Sequence, residues 1–360
     1  MPVSNPKKPT VIVTGNSGLI GTRLCQALAS KYSVYGLDIK EPKPAIKGTQ
    51  WTKCDLTSDE STQAAVSAVV EQAGPRVASV VHLAAYYDFS GAPSPLYKEL
   101  TVEGTRRLLR ALKPLDVEQF VFSSSLLVME PADEGEALTE QSPIEGEWDY
   151  PQSKIAAEQV IRDEHGDIPA VILRIAGVYD EDGNSIPITQ QIKRIYEEQF
   201  ESYFFPGDPS HGQPFIHVED LTECFVRVIE LRGQVAPLEV FLIAEDDLMS
   251  YEELQNRIGL LIHGERWRTI QIPKTVAKAG AWVQDKLSPK ETFIKPWMVD
   301  LADDHYPVDI ARATERLGWR PKHSLRQTLP EMIARLDSNA DRWYRTNKLG
   351  EPPAAKSARR

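Results

Sequence analysis

Short apolar runs alternate with amphipathic stretches through the first half of the chain. Thr10-Val11-Ile12-Val13 predicts a buried strand, and Ile20 to Ser30 a helix. Ser33-Val34-Tyr35-Gly36-Leu37-Asp38 predicts a second strand, and a third short strand ends before Asp55. Ser61 to Gln72 has helical spacing, and Ala78 to Leu83 follows as a strand. The pattern then predicts a helix over Glu99–Leu112, a strand over Gln119–Ser123, a helix over Ile155–Glu164 and a strand over Ala170–Arg174. Strands apolar on both faces, separated by helices, predict a parallel sheet covered on each side.

The alternation degrades after about Tyr179. Asp180-Glu181-Asp182-Gly183-Asn184 is turn chemistry. Phe215-Ile216-His217-Val218 reads as a strand, Val218–Leu231 as a helix and Val240–Ala244 as one more strand. The remainder is helix-rich, most clearly over Ile310–Leu317 and Leu325–Leu336. These patterns predict a nucleotide-binding domain over 1–180 plus about 215–245. A smaller, helix-rich lobe takes about 181–214 plus 246–340, and 341–360 is expected to be a flexible basic tail.

Bulk properties remove several classes of function. The chain has 360 residues and a formal net charge of −11, which argues against nucleic-acid binding. Cys25, Cys54 and Cys224 lack metal or CxxC spacing and read as buried thiols of a reducing, cytoplasmic protein. The N-terminus has no apolar signal core, and no run reaches the ~18 apolar residues of a membrane span. Ile272 to Trp297 comes nearest, but Lys274, Lys278 and Lys286 interrupt it, and a helix of the substrate lobe is the expectation there. No His, Cys, Asp or Glu cluster has metal spacing, and His82 and His217 sit in strand-like runs as structural residues.

The first strand feeds Thr14-Gly15-Asn16-Ser17-Gly18-Leu19-Ile20-Gly21, so a glycine turn opens a helix. Backbone N–H groups at such an N-terminus, with the helix dipole, favour a pyrophosphate. Gly15 serves the turn, Gly18 the approach of phosphate and Gly21 helix–strand packing. Ser17, Leu19 and Ile20 complete the loop. Asp38 ends the second strand, 23 residues beyond Gly15. A carboxylate there can accept from both adenosine ribose hydroxyls and repels a 2′-phosphate, which favours NAD over NADP; a turn-opening surface Asp is the alternative. Lys40 keeps NADP as a minority option. Asp55-Leu56 can meet the adenine ring or cap the following helix.

Tyr150 and Lys154, four residues apart, share one helix face. An ammonium beside a phenol is expected to lower its pKa, and such a Tyr can exchange a proton with a secondary alcohol. Lys154 can also hold the nicotinamide ribose. Ser123-Ser124-Ser125 ends a strand of the same sheet, where a hydroxyl can polarise a carbonyl or simply cap a turn.

In joint order these motifs resemble the extended short-chain dehydrogenase/reductases, the NAD-dependent epimerase/dehydratase family. The likeness runs over roughly residues 10–330. It includes the glycine loop, Asp38, Asp55-Leu56, His82-Leu83-Ala84-Ala85, Gly104-Thr105, Ser123-Ser124-Ser125, Tyr150-x-x-x-Lys154, Phe215-Ile216-His217-Val218-x-Asp220 and Leu317-Gly318-Trp319-Arg320-Pro321. The resemblance implies a Rossmann-like doubly wound parallel sheet, bound NAD, and Ser125, Tyr150 and Lys154 as the reacting set. It adds Leu83, Ala84, Ala85 and Ser123 to the cofactor contacts. Many relatives pair through two long helices, which here implies a homodimer on Glu99–Leu112 and Ile155–Glu164.

Departures from the family pattern narrow the substrate. Leu126-Leu127 follow Ser125 where sugar dehydratases carry Asp-Glu, so dehydration is not expected. Gly177 stands nearest to the Asn that sugar epimerases use near the substrate diphosphate, and Gln213-Pro214 replace their Arg-Asp. Thr101 replaces the usual Asn ahead of Gly104-Thr105. Tyr86, Tyr87, Asp88 and Phe89 follow Ala85 and can line an apolar cleft, or be core. The segment from Ile272-Pro273 resembles the branch of 3β-hydroxysteroid dehydrogenases and dihydroflavonol reductases. The expectation is an NAD-dependent dehydrogenase or epimerase acting on a small molecule with a secondary alcohol or ketone. A non-catalytic NAD-binding scaffold is the rival.

Overall fold

A computed structural model of the chain describes residues 8–88, 91–133, 135–277, 299, 302 and 304–353. Seven strands form one parallel sheet: β1 (Thr10–Thr14), β2 (Ser33–Asp38), β3 (Thr49–Lys53), β4 (Ser79–His82), β5 (Phe120–Ser125), β6 (Ala170–Ile175) and β7 (Leu238–Ile243). Their order across the sheet is 3-2-1-4-5-6-7. The chain moves outward from β1 in one direction, then returns and moves outward in the other. The strand order therefore reverses between β1 and β4, where doubly wound sheets open their ligand crevice.

Inside the edge strand β3, which is polar and partly exposed, both faces of this sheet are dry, as its unbroken apolar strands require. Val11, Val13, Val121 and Val171 point to one face, against α1 (Leu19–Leu28) and, later in the chain, Leu221, Phe225 and Val228. Ile12, Val80, Phe120, Phe122 and Ile172 point to the other, covered by α2 (Asp59–Ala73), α3 (Glu103–Leu112) and α4 (Asp149–Glu164). The alternation is the strand period of two read on both sides. Cys25, Cys54 and Cys224 are free and buried.

A third core, closed around Tyr179, Ile188, Ile192, Ile258, Leu329, Trp343 and Tyr344, belongs to the second half. It is built from α5 (Ile186–Tyr196), α7 (Tyr251–His263), α9 (Leu325–Ser338) and α10 (Ala340–Thr346), while α6 (Val218–Glu230) and α8 (Ala311–Leu317) pack on the sheet side.

Four sequence expectations need correction. Phe215–His217 pairs with Gly177–Tyr179 in a small parallel ribbon beside the main sheet, so only β7 joins the sheet from the later segment. Helix α4 begins at Asp149, six residues before the expected Ile155, because Pro151 falls in its first turn, where no intrahelical N–H is needed. The helix expected from Glu99 opens as a wider π-helical turn over Tyr97–Val102 and becomes α-helical only at Glu103. The described part of the basic end, 341–353, is held down: α10 buries Trp343 and Tyr344, the Tyr344 hydroxyl donates to Glu197 (2.8 Å), and Lys193 Nζ donates to the Leu349 carbonyl, while 354–360 lie outside the described residues. The cationic spacing of this end hid its two aromatic anchors. Most of Ile272–Trp297 lies outside the described residues, as does Phe89.

Candidate active site

The glycine loop closes at the C-terminal end of β1. Gly15 has φ +70° and sits so close to the next loop that a Cβ would lie 2.9 Å from the Ala84 nitrogen. A Cβ on Gly21 would lie 2.3 Å from the Gly15 carbonyl oxygen. Helix α1 therefore packs against its own entry loop, and Gly18 caps it with no side chain to occupy its first-turn amides. An open helix N-terminus with a backbone-lined approach fits the pyrophosphate of a dinucleotide. Asp38 stands beside it at the end of β2. Its Oδ2 accepts from the Ser17 amide (3.0 Å) and hydroxyl (2.8 Å), and its Oδ1 from the Lys40 amide (3.1 Å). The structure thus joins Ser17 and Asp38, which the sequence placed in separate motifs.

Asp55 is committed to a turn: its Oδ1 accepts from the Thr57 amide and hydroxyl, which holds its carboxyl below the ordinary range. Leu56 buries its side chain, and Ser58 caps α2 in the role the sequence left open for Asp55. Leu83 packs on the core below the loop, while the Ala84 amide donates to Thr14 Oγ1 and Ala85 follows on the partly exposed rim. His82 is enclosed between Thr14 Oγ1 (2.7 Å) and Thr105 Oγ1 (3.0 Å), and burial pushes its pKa down to about 3. A neutral imidazole bridging two hydroxyls is a structural tie.

The opposite wall is the end of β5 against the first turns of α4. Lys154 Nζ is buried and donates to the Ser123 carbonyl (2.7 Å); the Ser123 hydroxyl in turn donates to the His82 carbonyl (3.2 Å). Tyr150 lies one turn earlier on α4, with its phenol in hydrogen-bonding reach of Ser125. The three residues expected to react are brought together. Their electrostatics differ from expectation. Burial pushes the Tyr150 phenol up to about 12, with the Ser125 hydrogen bond opposing, and pushes Lys154 down to about 7, with Glu158 opposing. The ammonium lies 5.9 Å from the Tyr150 ring centre and spends its bond on a carbonyl, so desolvation outweighs its pull on the phenol.

Aromatic rings surround this wall. Tyr87 stacks edge-on against Tyr150 (4.8 Å), Trp148 lies 5.5 Å from Tyr150, and Tyr86 meets Tyr97 edge-on (4.8 Å). The Tyr86 amide donates to Thr101 Oγ1, and the Tyr97 hydroxyl to the Asp88 carbonyl. A small cavity against the start of α4 is lined by Leu127, Met129, Trp148, Pro151 and Tyr306, with Glu130, Glu145 and Glu147 also on its wall; neither Tyr150 nor Ser125 lines it.

Two groupings escaped the sequence reading. Glu158, Arg174 and Ser124 form a buried cluster under the strand end. Its signal was present: Glu158 continues the four-residue spacing of Tyr150 and Lys154. Among the described residues, His217, Glu219 and His323 also bring possible metal-ligand atoms within 4.8 Å of one another. The two imidazoles are stacked, 4.3 Å apart and inclined by 25°, so their lone pairs run side by side rather than converge. His217 Nδ1 already accepts the Glu219 amide as a helix cap. This geometry packs α6 against the loop before α9.

Comparison with known proteins fits the architecture. A family model described as "NAD dependent epimerase/dehydratase family" matches residues 11–244. A 3-beta-hydroxysteroid dehydrogenase of Mycolicibacterium neoaurum is 22% identical over 343 residues, covering 90% of each chain. A UDP-glucose 4-epimerase of Bacillus subtilis is 28% identical over 248 residues, covering 61% of this chain and 72% of its own. The crystal structure of a Thermus thermophilus UDP-glucose 4-epimerase in complex with NAD superposes with a TM-score of 0.67 at 20% identity, covering 92% of this chain and 99% of that one.

Proposed function

The chain belongs to the NAD-dependent epimerase/dehydratase family and is an NAD-dependent enzyme of the extended short-chain type, and from that premise we propose a dehydrogenase acting on an uncharged, ring-shaped secondary alcohol or its ketone. Bound NAD supplies the hydride acceptor or donor. The glycine loop with Ser17, Leu19 and Ile20 would hold its pyrophosphate, and Asp38 its adenosine ribose. Asp55, Leu56, Leu83, Ala84, Ala85 and Ser123 would line the rest of the cofactor groove.

Tyr150 is the proton-transfer group of this proposal. Its phenol gives a proton to the substrate oxygen in reduction and takes it back in oxidation. Ser125 orients that oxygen from the other side, and Lys154 keeps positive charge beneath the phenol. The observation that carries the reading is the meeting of Tyr150 with Ser125 while Lys154 is fixed on Ser123.

Two features support an uncharged ring over a nucleotide sugar. Tyr86, Tyr87 and Trp148 offer apolar faces around Tyr150, and the neighbouring cavity that Trp148 also lines carries Glu130, Glu145 and Glu147, negative charge that disfavours a diphosphate nearby. At the position nearest to the epimerase Asn, Gly177 lies so close to Phe215 that a Cβ would be 2.8 Å from its ring. An epimerase reading keeps the support of the 28% identical relative. Homodimer formation through α3 and α4 is proposed on the same footing, and light scattering in solution tests it.

The test is NADH absorbance on addition of a 3β-hydroxysteroid, alongside UDP-glucose with a coupled assay for UDP-galactose. Steroid-dependent NADH formation with exchangeable NAD is expected. Turnover of UDP-glucose by protein that copurifies with NAD and releases no NADH would replace this reading by the epimerase. Tyr150→Phe should lower kcat by ~10²–10⁴-fold with NAD binding intact. Full turnover in that variant removes Tyr150 from the mechanism.

A further inference from the structure

Helix α4 presents Tyr150, Lys154 and Glu158 at successive four-residue steps, one above the other on the face turned to the sheet. The first two belong to the proposed reaction. The third is an acid with a side chain only 3% exposed, one turn below a buried ammonium. Its partners account for both oxygens. Oε1 accepts the Ser124 hydroxyl (2.6 Å) and Arg174 Nε (3.1 Å), and Oε2 accepts an Arg174 terminal nitrogen (2.9 Å). Arg162, on the same helix, approaches within 3.6 Å.

The strand end is thus gripped at two neighbouring residues by one helix. Lys154 holds the Ser123 carbonyl, and Glu158 holds the Ser124 side chain. Ser125, the next residue, carries the hydroxyl that meets Tyr150. The ladders to β4 and β6 fix the strand itself, so release of either grip would act at its end, by shifting α4 against Ser125 and changing the Ser125–Tyr150 separation. The charges point the same way. Arg174 pairs with Glu158 directly and Lys154 feels its charge from one turn away, so one carboxylate balances two buried cations, with Arg162 approaching it from a less buried position. Loss of that carboxylate would leave Lys154 and Arg174 both desolvated, without the buried counter-charge between their strand and helix. Lysine, unlike arginine, relieves such a conflict by losing its proton.

We propose that Glu158 is a positioning residue: it ties the end of β5 to α4 through Ser124 and is the counter-charge that keeps Lys154 protonated. The proposal rests on the reading of Ser125, Tyr150 and Lys154 as the reacting set. Burial already pushes Lys154 down to about 7 against the pull of Glu158, so little margin is left.

The test uses the full chain with NAD, labelled with ¹³C at lysine Cε. The Lys154 signal is identified by its absence from Lys154→Arg, and its titration midpoint is followed in each variant. In Glu158→Gln the midpoint should fall by ~1 pH unit or more, and turnover at neutral pH should fall with it. Glu158→Asp keeps the charge and should restore the midpoint to within ~0.3 of the parent while kcat stays depressed by the shorter tether. Ser124→Ala leaves the Glu158–Arg174 pair intact; it should keep the midpoint, lower kcat by ~5–10-fold and leave NAD affinity within ~2-fold. A structural role alone would lower thermal stability without moving the midpoint. An unchanged midpoint in folded Glu158→Gln overturns the proposal. If that variant does not fold, undiminished kcat in Ser124→Ala overturns it. Should the midpoint fall as expected while Tyr150→Phe and Lys154→Arg retain full turnover, the reacting set is wrong and the electrostatic link stands.

Discussion

The two walls of the cleft reach rigidity by opposite means. The cofactor wall, from β1 through α1 to Asp38, is shaped by what is missing: no Cβ at Gly15, Gly18 or Gly21, and no capping side chain at the start of α1. The chemical wall, where β5 meets α4, is shaped by buried charge: Lys154, Glu158 and Arg174 are each at most 3% exposed. The first wall is held by backbone contact and tolerates no added atom at Gly15 or Gly21. The second depends on desolvated groups that must stay paired, at a cost in stability that the surrounding core offsets. Close backbone packing in the glycine loop and charge in the core serve one purpose, a cleft that does not rearrange when ligand arrives.

The largest effect belongs to the first wall. Gly21→Val would place a side chain 2.3 Å from the Gly15 carbonyl oxygen and 2.7 Å from the Asn16 Cα, and both obstacles are backbone. The loop must open, so NAD affinity is expected to fall by ~100-fold or more, read by fluorescence titration beside circular dichroism as a folding control. Retained affinity would mean that the loop is soft and that its glycines are not the source of its shape.

This contrast also explains what the sequence made legible. A glycine loop is local: its residues lie within one turn of chain, and a strand before and helix after reveal it. The seven strands of the sheet were readable for the same reason, since period and apolarity are local properties. The link from Ser17 to Asp38 spans 21 residues and has no local signature, although each residue stands out in its own motif. Glu158 meets Arg174 and Ser124 only after β5 and β6 pair, and no spacing rule joins a helix position to two strands. The rise in the Tyr150 pKa was unreadable because desolvation depends on the packed state, whereas the helical proximity of Lys154 was visible. Composition misled at the basic end, where burial of Trp343 and Tyr344 outweighs the flanking charges.

A moderate effect is expected where the two kinds of wall overlap, at Asp38. It belongs to the cofactor wall but acts through charge. Asp38→Asn keeps an acceptor for Ser17 and removes the repulsion toward a 2′-phosphate, with the Lys40 amide already bonded alongside. The preference for NAD over NADP should fall by ~10-fold or more, measured as the ratio of dissociation constants. An unmoved ratio would reduce Asp38 to a brace for the loop.

The smallest effect tests whether the chemical wall stores a cost. Burial lowers the Lys154 pKa to about 7, below its ordinary value near ~10.4. Between those values the unfolded chain binds more protons at this position than the folded one, so the contribution to stability rises with pH. Below about 7 the folded protein carries the full burden of a buried ammonium, and toward pH ~10 that burden vanishes. Lys154→Met removes the charge and keeps much of the volume. The melting temperature should therefore rise by ~2 °C or more at pH 6, with the gain shrinking as pH increases. Near pH 10 the lost hydrogen bond to the Ser123 carbonyl should dominate, and the variant should be no more stable than the parent. Differential scanning fluorimetry at pH 6, 8 and 10 reads the trend directly. A gain that does not depend on pH would show better packing rather than relief of charge. A loss at pH 6 would show that the grip on β5 is worth more than the desolvation it requires, and the distinction between the two walls would collapse into one of tight packing alone.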